Sequence, residues 1–206
     1  KVFTWDGEQE VVMSPMDSIA HYKRFLRAGM VSMDPRNGHV KAWVGGINFR
    51  YLKYDHVKQG KRQPGSTFKP FVYVAGLDKS FLTPCDHVTD APVYFGPSDG
   101  VPGGWTPKNA NNKYSYQALS LRQAIGKSVN TVSAHIMKMV RPQTVVDYAH
   151  KLGITSPLEA TPALCLGTSD VSVYEMVNAY SSFANGGHRT EPLTILRIED
   201  RHGNVL

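Results

Sequence analysis

Arg62-Gln63-Pro64-Gly65-Ser66-Thr67-Phe68-Lys69-Pro70 is the stretch around which the chain is organised. Pro64-Gly65 is a strong breaker pair, and the apolar run Phe71, Val72, Val74, Ala75, Leu77 behind it has the i, i+3, i+4 recurrence of a buried helix. Ser66 therefore stands where a loop turns into a helix. A serine there commonly acts as an N-cap, its hydroxyl accepting a backbone N–H of the first turn. Lys69 adds a second possibility. Three residues on in a helical turn, its amine shares a face with the Ser66 hydroxyl, so a nucleophile and a possible base are neighbours by geometry alone. Pro70 has no N–H and restricts Lys69, so the first turn is expected to be tight or distorted.

The surrounding composition is globular. With 206 residues, 41% hydrophobic and 19% charged, the chain can bury a core in one large or two small domains and shows no disordered bias. No apolar run approaches the ~20 residues a membrane-spanning helix needs, and no signal-peptide pattern opens the sequence. Lys1 at the start, in place of methionine, reads as the edge of an excised segment that an anchor could precede. Cys85 and Cys165 make no C-x-x-C or zinc-ribbon spacing and are read as free thiols. The histidines contain no H-x-x-x-H pair, so neither a metal site nor a cofactor is expected. The net charge of +6 suits a solvated basic surface or attraction to a polyanion. Lys58, Lys61 and Arg62 cluster ahead of Ser66, but no nucleic-acid-binding motif accompanies them and no nucleic-acid partner is expected.

Upstream of the serine, Asp6-Gly7 suggests a short strand pair and Ser14-Pro15 a helix start, with Ile19, Tyr22, Phe25 and Leu26 on one face before Gly29. Met30-Val31-Ser32-Met33 and His39 to Val44 flank Asp34-Pro35-Arg36-Asn37-Gly38 as a hairpin. Downstream, residues 83–117 are rich in Pro, Gly, Asn and Asp without a period, and so long a loop usually binds or covers something. Within it, Trp105 reads as a packing anchor or a substrate-facing platform. Leu121, Ala124 and Ile125 open a helical region that Gly126 interrupts, and Val132, Ile136, Met139 and Val140 resume it. Lys127-Ser128-Val129-Asn130 between them reads as an extended link, with Ser128 and Asn130 on one side and Val129 toward the core. A helix from Thr144 to Leu152 is closed by Gly153, and a capping box at Ser172 and Glu175 opens another whose Met176, Val177, Tyr180 and Phe183 stripe is read as core. Leu193 to Glu199 then reads as a strand and Asp200 to Asn204 as a hairpin turn, the chain stopping at Leu206 where the partner strand should begin.

Ser66-x-x-Lys69 followed by Ser128-x-Asn130-Thr131, with Gly104-Trp105-Thr106-Pro107-Lys108-Asn109, Leu166-Gly167 and Phe183-Ala184-Asn185-Gly186-Gly187, resembles the transpeptidase domain of class A (bifunctional) penicillin-binding proteins, within the penicilloyl-serine transferase superfamily. The likeness covers nearly the whole chain. It implies an α+β fold, an antiparallel sheet flanked by helices in the β-lactamase and transpeptidase manner, incomplete at the C-terminus. Residues 1–27 become an N-terminal linker segment and 28–206 a partial transpeptidase domain. The family's third motif, Lys-Thr/Ser-Gly on a core strand, is absent; in the family it lies beyond the hairpin where this sequence stops, so truncation is the simplest explanation. An upstream glycosyltransferase domain and a membrane anchor are implied for the full-length protein, at the extracytoplasmic (periplasmic) face.

The activity implied is that of a peptidoglycan D,D-transpeptidase, with peptidoglycan stem peptides and β-lactam antibiotics as partners. Ser66 would attack the carbonyl between two terminal D-alanines, release one, and hand the acyl group to an amine of a neighbouring stem; a β-lactam would leave a persistent ester. Lys69 would be the base, Ser128 the proton relay, and Asn130 the holder of the substrate amide and of Lys69. Trp105, Asn109 and Thr131 are the expected substrate-binding residues. The Ser66 N–H supplies one oxyanion donor and a strand absent from the sequence the other, so the chain is expected to be nearly inactive; losing one such donor costs ~10²–10³ in rate. Taken alone, Ser128 and Asn130 could instead be a polar helix cap. The alternatives are a β-lactamase, for which Glu175-Met176-Val177-Asn178 misses the Glu-x-x-Leu-Asn register, a β-lactam-sensing or non-catalytic wall-binding domain, and a basic nucleic-acid binder.

Overall fold

The computed structural model describes residues 1–206. In order the elements are β1 (Val2–Thr4), β2 (Gly7–Gln9), α1 (Pro15–Lys23), β3 (Met30–Met33), β4 (Val40–Val44), β5 (Lys61–Arg62), α2 (Lys69–Lys79), β6 (His87–Thr89), β7 (Ala118–Ser120), α3 (Leu121–Gly126), α4 (Asn130–Val140), α5 (Pro142–Leu152), β8 (Val171–Ser172) and α6 (Val173–Ala184). Short 3-10 turns at Gly65–Phe68, Pro97–Asp99 and Pro162–Leu166 complete the α+β fold. The strands form separate two-stranded pairs rather than one sheet. Two compact units result, one of Lys1–Lys61 with Ser172–Leu206 and one of Arg62–Val171.

In the first unit β1 and β2 pair antiparallel, Phe3 opposite Glu8. Ser14 caps α1 as expected, its hydroxyl accepting the Asp17 N–H while the Asp17 carboxylate accepts the Ser14 N–H. The helix ends at Lys23 and buries nothing, so Phe25 and Leu26 are not on its face; the Phe25 ring instead packs 5.1 Å from Phe3 and 5.6 Å from Trp5. The β3–β4 hairpin is present, Val31 opposite Trp43, and the Trp43 ring lies 5.6 Å from Tyr174 of α6.

Two further expectations fail in this unit. The α6 stripe is not core: Tyr180 and Phe183 are exposed and Met176 and Val177 half-buried, while the helix buries Glu175, Asn178, Ala179, Ser181 and Ser182. Periodicity finds a stripe but not the direction it faces, and the small Ala179, Ser181 and Ser182 let the backbone approach its neighbours. The Glu175 carboxylate on that face accepts the Ser172 N–H at 2.9 Å and the Ser172 hydroxyl at 2.8 Å. Leu193 to Glu199 is likewise not a strand. Leu193 donates to Gly38 O at 2.8 Å and accepts from Val40 N at 2.9 Å, and at the other end Ile198 accepts the Leu206 N–H at 3.0 Å while Glu199 bridges Val205 around the Asp200 turn.

The second unit is a helical core. Phe71, Val72 and Ala75 of α2, Val132, Ile136 and Met137 of α4, Val145 and Ala149 of α5, and Leu164 and Cys165 are all fully buried. Burying a large apolar side chain of this kind contributes ~1.5–3 kcal/mol. Helices α2 and α4 meet at Gly76, where a β-carbon would stand 2.6 Å from Ile136 Cγ2. Residues 83–117 contain more structure than their composition suggests: β6 pairs antiparallel with β7, Val88 opposite Leu119, and Phe95 bridges Trp105. A three-residue strand is too short to display a period, which is why the sequence hides it.

Candidate active site

Gly65 sets the entry to the site. Its φ of +59° turns the chain after Pro64, and its N–H donates to Gly167 O at 3.2 Å. Gly167 is also left-handed, and a β-carbon there would lie 2.2 Å from Gly65 O, so the two glycines define one close backbone approach. The following turn is 3-10 and α2 begins only at Lys69, the tight first turn that Pro70 dictates. Ser66 is not an N-cap: Pro64 and Phe68 occupy those positions, and neither junction has a side-chain capping bond. Ser66 is exposed, its hydroxyl has no protein partner, and its N–H donates to no backbone carbonyl.

Lys69, one turn on, is 1% exposed. Its Nζ donates to Ser128 O at 2.6 Å, Ser128 Oγ at 3.0 Å and Asn130 Oδ1 at 2.7 Å. None of these partners is charged, and burial penalises the ammonium, so the amine is brought down to about 8. A thiolate at Cys165 would oppose this, but burial pushes the Cys165 thiol up to about 12 and keeps it neutral. Because Lys69 meets Asn130 and Gly76 meets Ile136, α2 and α4 run in the same sense and bring their N-termini together here. Two positive helix ends favour the neutral amine as well.

The Lys127–Asn130 link is not extended as its alternation suggests. Ser128 is left-handed, φ +55°, and Val129 is the extended N-cap residue of α4. It is this reversal that turns both Ser128 and Asn130 onto Lys69. A non-glycine residue in that region carries ~1 kcal/mol or more of strain, of the kind that collects at functional sites.

Asn130 is itself held. Its N–H donates to Asn109 Oδ1 at 2.9 Å and its Nδ2 to Lys108 O at 2.8 Å. Asn109 also accepts the Thr131 N–H at 3.4 Å and donates to Asp90 Oδ1 at 2.8 Å and Lys113 O at 3.0 Å. Asp90, almost fully buried, further accepts the Thr131 hydroxyl at 2.6 Å and the Ser115 N–H and hydroxyl at 2.8 Å each. Burial alone would raise this carboxyl; the hydrogen bonds from Thr131, Ser115 and Asn109 outweigh it and hold the group at about 2.

The structure thus joins Lys69, Ser128, Asn130, Asn109 and Thr131 in one network. Thr131 points its side chain inward to Asp90 and is fully buried, and Asn109 has both ends of its amide occupied. Trp105 stands outside the network, its ring packed 5.5 Å from Phe95 and its backbone paired with the same residue. Asp90 is the member that sequence reasoning missed. A single aspartate in a long loop carries no local mark of its partners, which lie 19 to 41 residues away.

The family model described as the penicillin binding protein transpeptidase domain matches residues 28–205, and that of the penicillin-binding protein middle domain matches residues 1–26. Penicillin-binding protein 1A of Pseudomonas aeruginosa is 39% identical over 203 residues, covering 97% of this chain and 24% of its own length. Penicillin-binding protein 1A of Neisseria meningitidis is 40% identical over 201 residues, again 97% of this chain and 24% of the relative. The crystal structure of penicillin-binding protein 1A from Haemophilus influenzae superposes with a TM-score of 0.80 at 31% identity, over 87% of this chain and 26% of that one. The chain spans about a quarter of the length of these curated relatives.

Proposed function

The chain belongs to the penicillin-binding protein transpeptidase family, and from that premise we propose that it carries the acyl-transfer centre of a peptidoglycan D,D-transpeptidase, with Ser66 as nucleophile. The observation that carries this reading is Lys69, a buried amine lowered to about 8 and one turn from an exposed, unpartnered serine hydroxyl. A neutral amine has two N–H donors and one lone pair. Once it has lost the proton it shares with Ser128 Oγ, Lys69 keeps its N–H groups on Ser128 O and Asn130 Oδ1 and has a lone pair free for a hydroxyl, that of Ser66 when substrate is bound.

Ser66 Oγ bonds to the carbonyl carbon between the terminal D-alanines while Lys69 takes its proton. The Ser66 N–H, an orphan donor at the start of its turn, stabilises the oxyanion. Ser128 passes the proton from Lys69 to the departing nitrogen, the C–N bond breaks, and an ester remains on Ser66. An amine of a second stem attacks that ester, and its proton returns to Ser66 Oγ by the same route. A β-lactam enters the first half alone, because its amine stays tethered. Asn109 and Thr131 act here as positioning residues for Asn130 rather than as substrate contacts. On this reading residues 1–27 lead into a domain that begins at 28, and the whole protein is a membrane-anchored wall enzyme with a glycosyltransferase domain, acting at the extracytoplasmic face.

The test is intact-mass spectrometry after incubation with penicillin, on the 206-residue chain and on a version extended by a Lys-Thr-Gly strand, each with Ser66→Ala. The extended version should gain one penicilloyl mass, the 206-residue chain little, and neither Ser66→Ala variant any. No adduct on either form would leave a wall-binding module and remove the acyl-transfer reading.

A further inference from the structure

One turn beyond Lys69 lies a second buried polar pair, which the acylation steps leave unused. With Lys69 against Asn130 and Gly76 against Ile136, the register of α2 on α4 sets Tyr73 beside Ser133. Both are buried, Tyr73 5% exposed and Ser133 not at all. Ser133 Oγ donates at 3.2 Å to Val129 O, the carbonyl at which α4 begins. The Tyr73 hydroxyl, by contrast, has no hydrogen-bond partner. Burial pushes this phenol up to about 12 and the Ser133 hydroxyl is the group that acts against burial, so the two oxygens stand close without a formed bond between them. A helical side chain leans toward the helix N-terminus, which lays the Tyr73 ring over the turn that carries Lys69.

A buried hydroxyl without a partner destabilises the resting fold, and phenylalanine would fill the same space without that loss. The hydroxyl is therefore to be sought at work in another state of the site, and Lys69 defines one. As an ammonium it donates to Ser128 O, Ser128 Oγ and Asn130 Oδ1; as an amine it has two N–H groups and lets Ser128 Oγ go. The link that loses this bond is the one bent into the left-handed region at Ser128, where strain favours release. We propose that Tyr73 is a positioning residue for acylation: once Lys69 is neutral, Tyr73 O–H donates to Ser133 Oγ and Ser133 O–H to Val129 O, a chain that holds the link in place while Lys69 works on Ser66. The proposal rests on the acyl-transfer reading for the step it serves. Both hydroxyls keep their protons throughout. The phenol stays protonated to about 12 and is a donor wherever Lys69 titrates, and Cys165, the other titratable group that acts on Lys69, is neutral over the same range.

The test is Tyr73→Phe, which removes one oxygen and keeps the ring, with Ser133→Ala beside it. A bond made only with neutral Lys69 favours the neutral amine, so its loss raises the Lys69 midpoint. In the 206-residue chain the Lys69 ¹³Cε resonance of Tyr73→Phe should titrate above the wild-type value of about 8, by ~0.5–1 in pH. Its urea midpoint should equal or exceed that of the wild type, because the resting hydroxyl bonds to nothing. In the version extended by a Lys-Thr-Gly strand, penicillin acylation at pH 7 should fall ~3–10-fold, in step with the smaller fraction of neutral amine. The Tyr73→Phe, Ser133→Ala double variant should be no slower than Ser133→Ala, since the two hydroxyls form one chain. An unmoved Lys69 midpoint, acylation at the wild-type rate, or a fall in rate that only tracks a lowered urea midpoint would overturn the proposal. The two levels separate in the same experiment. A wild type penicilloylated at Ser66 beside an unaffected Tyr73→Phe removes the Tyr73 role and leaves the acyl-transfer reading standing, whereas a wild type that gains no penicilloyl mass removes both.

Discussion

Lys69 and Asp90 are both charged side chains taken almost wholly out of water, and the two surroundings answer burial in opposite ways. Around Lys69 stand a carbonyl, a hydroxyl and an amide oxygen, with two helix N-termini converging, and the amine is lowered to about 8. Around Asp90 stand donors alone, from Thr131, Asn109 and Ser115, and the carboxyl is held at about 2. One group is left close to its protonation boundary and the other is locked far from it. A proton can be moved at the first, whereas the second fixes geometry. Asn109 and Asn130 tie the two together, so the locked region aims the movable one.

Lys69→Met should break the comparison most severely. In the version extended by a Lys-Thr-Gly strand, penicillin acylation should fall by ~10²–10⁴, the range for loss of a general base, with the circular dichroism spectrum unchanged. Acylation at the wild-type rate would deny Lys69 its role. Asp90→Ala should act on the other side. Removing the buried hub leaves the Thr131 hydroxyl, the Asn109 amide and Ser115 without an acceptor, a loss of about 3 kcal/mol in urea unfolding. Acylation should then fall only ~10-fold, since Asn130 is misaimed rather than removed. Equal effects of the two variants on rate would erase the distinction between a reacting and a positioning group.

The dependence of stability on pH sharpens it further. Asp90 sits at about 2 in the folded state against 3.8 ordinarily, so its contribution is complete above pH 3.8 and is lost as pH falls toward 2, ~2 kcal/mol in all. Lys69 sits at about 8 against 10.5, so the unfolded chain binds more protons between these values and stability rises by ~3 kcal/mol as pH climbs from 8 to 10.5. Unfolding free energy measured across pH should show both limbs, with Asp90→Asn removing the acid one and Lys69→Met the alkaline one. Persistence of a limb in its own variant would assign it elsewhere. The smallest effect belongs to Cys165. Since its thiol stays neutral until about 12, Cys165→Ser should move the pH midpoint of acylation by less than about half a unit.

What could be read from the sequence divides along the same line between local and distant causes. Ser66 and Lys69 are legible because three residues make a helical turn, and Pro64-Gly65 and Pro70 mark its start. The Ser14 and Ser172 capping boxes, the β3–β4 hairpin and the left-handed Gly153 are legible for the same reason, each being fixed by neighbours in the chain. Ser128 and Asn130 are legible as residues but not as geometry, because alternation says extended whereas the left-handed Ser128 does the aiming. Asp90 is not legible at all, since its meaning comes from Asn109, Ser115 and Thr131 folded around it. The direction of the α6 stripe and the fate of residues 193–199 also depend on partners, which no local pattern specifies.

The account turns on Lys69 giving up its proton near pH 8, where an ordinary lysine holds it to 10.5, and that can be observed directly. Chain labelled with ¹³C at the lysine ε-carbons is titrated by NMR, with the Lys69 resonance assigned by its disappearance in Lys69→Met. That resonance should titrate near 8, well below the ordinary lysine value of 10.5. Titration at the ordinary 10.5 would contradict the account, leaving Ser66 without a base.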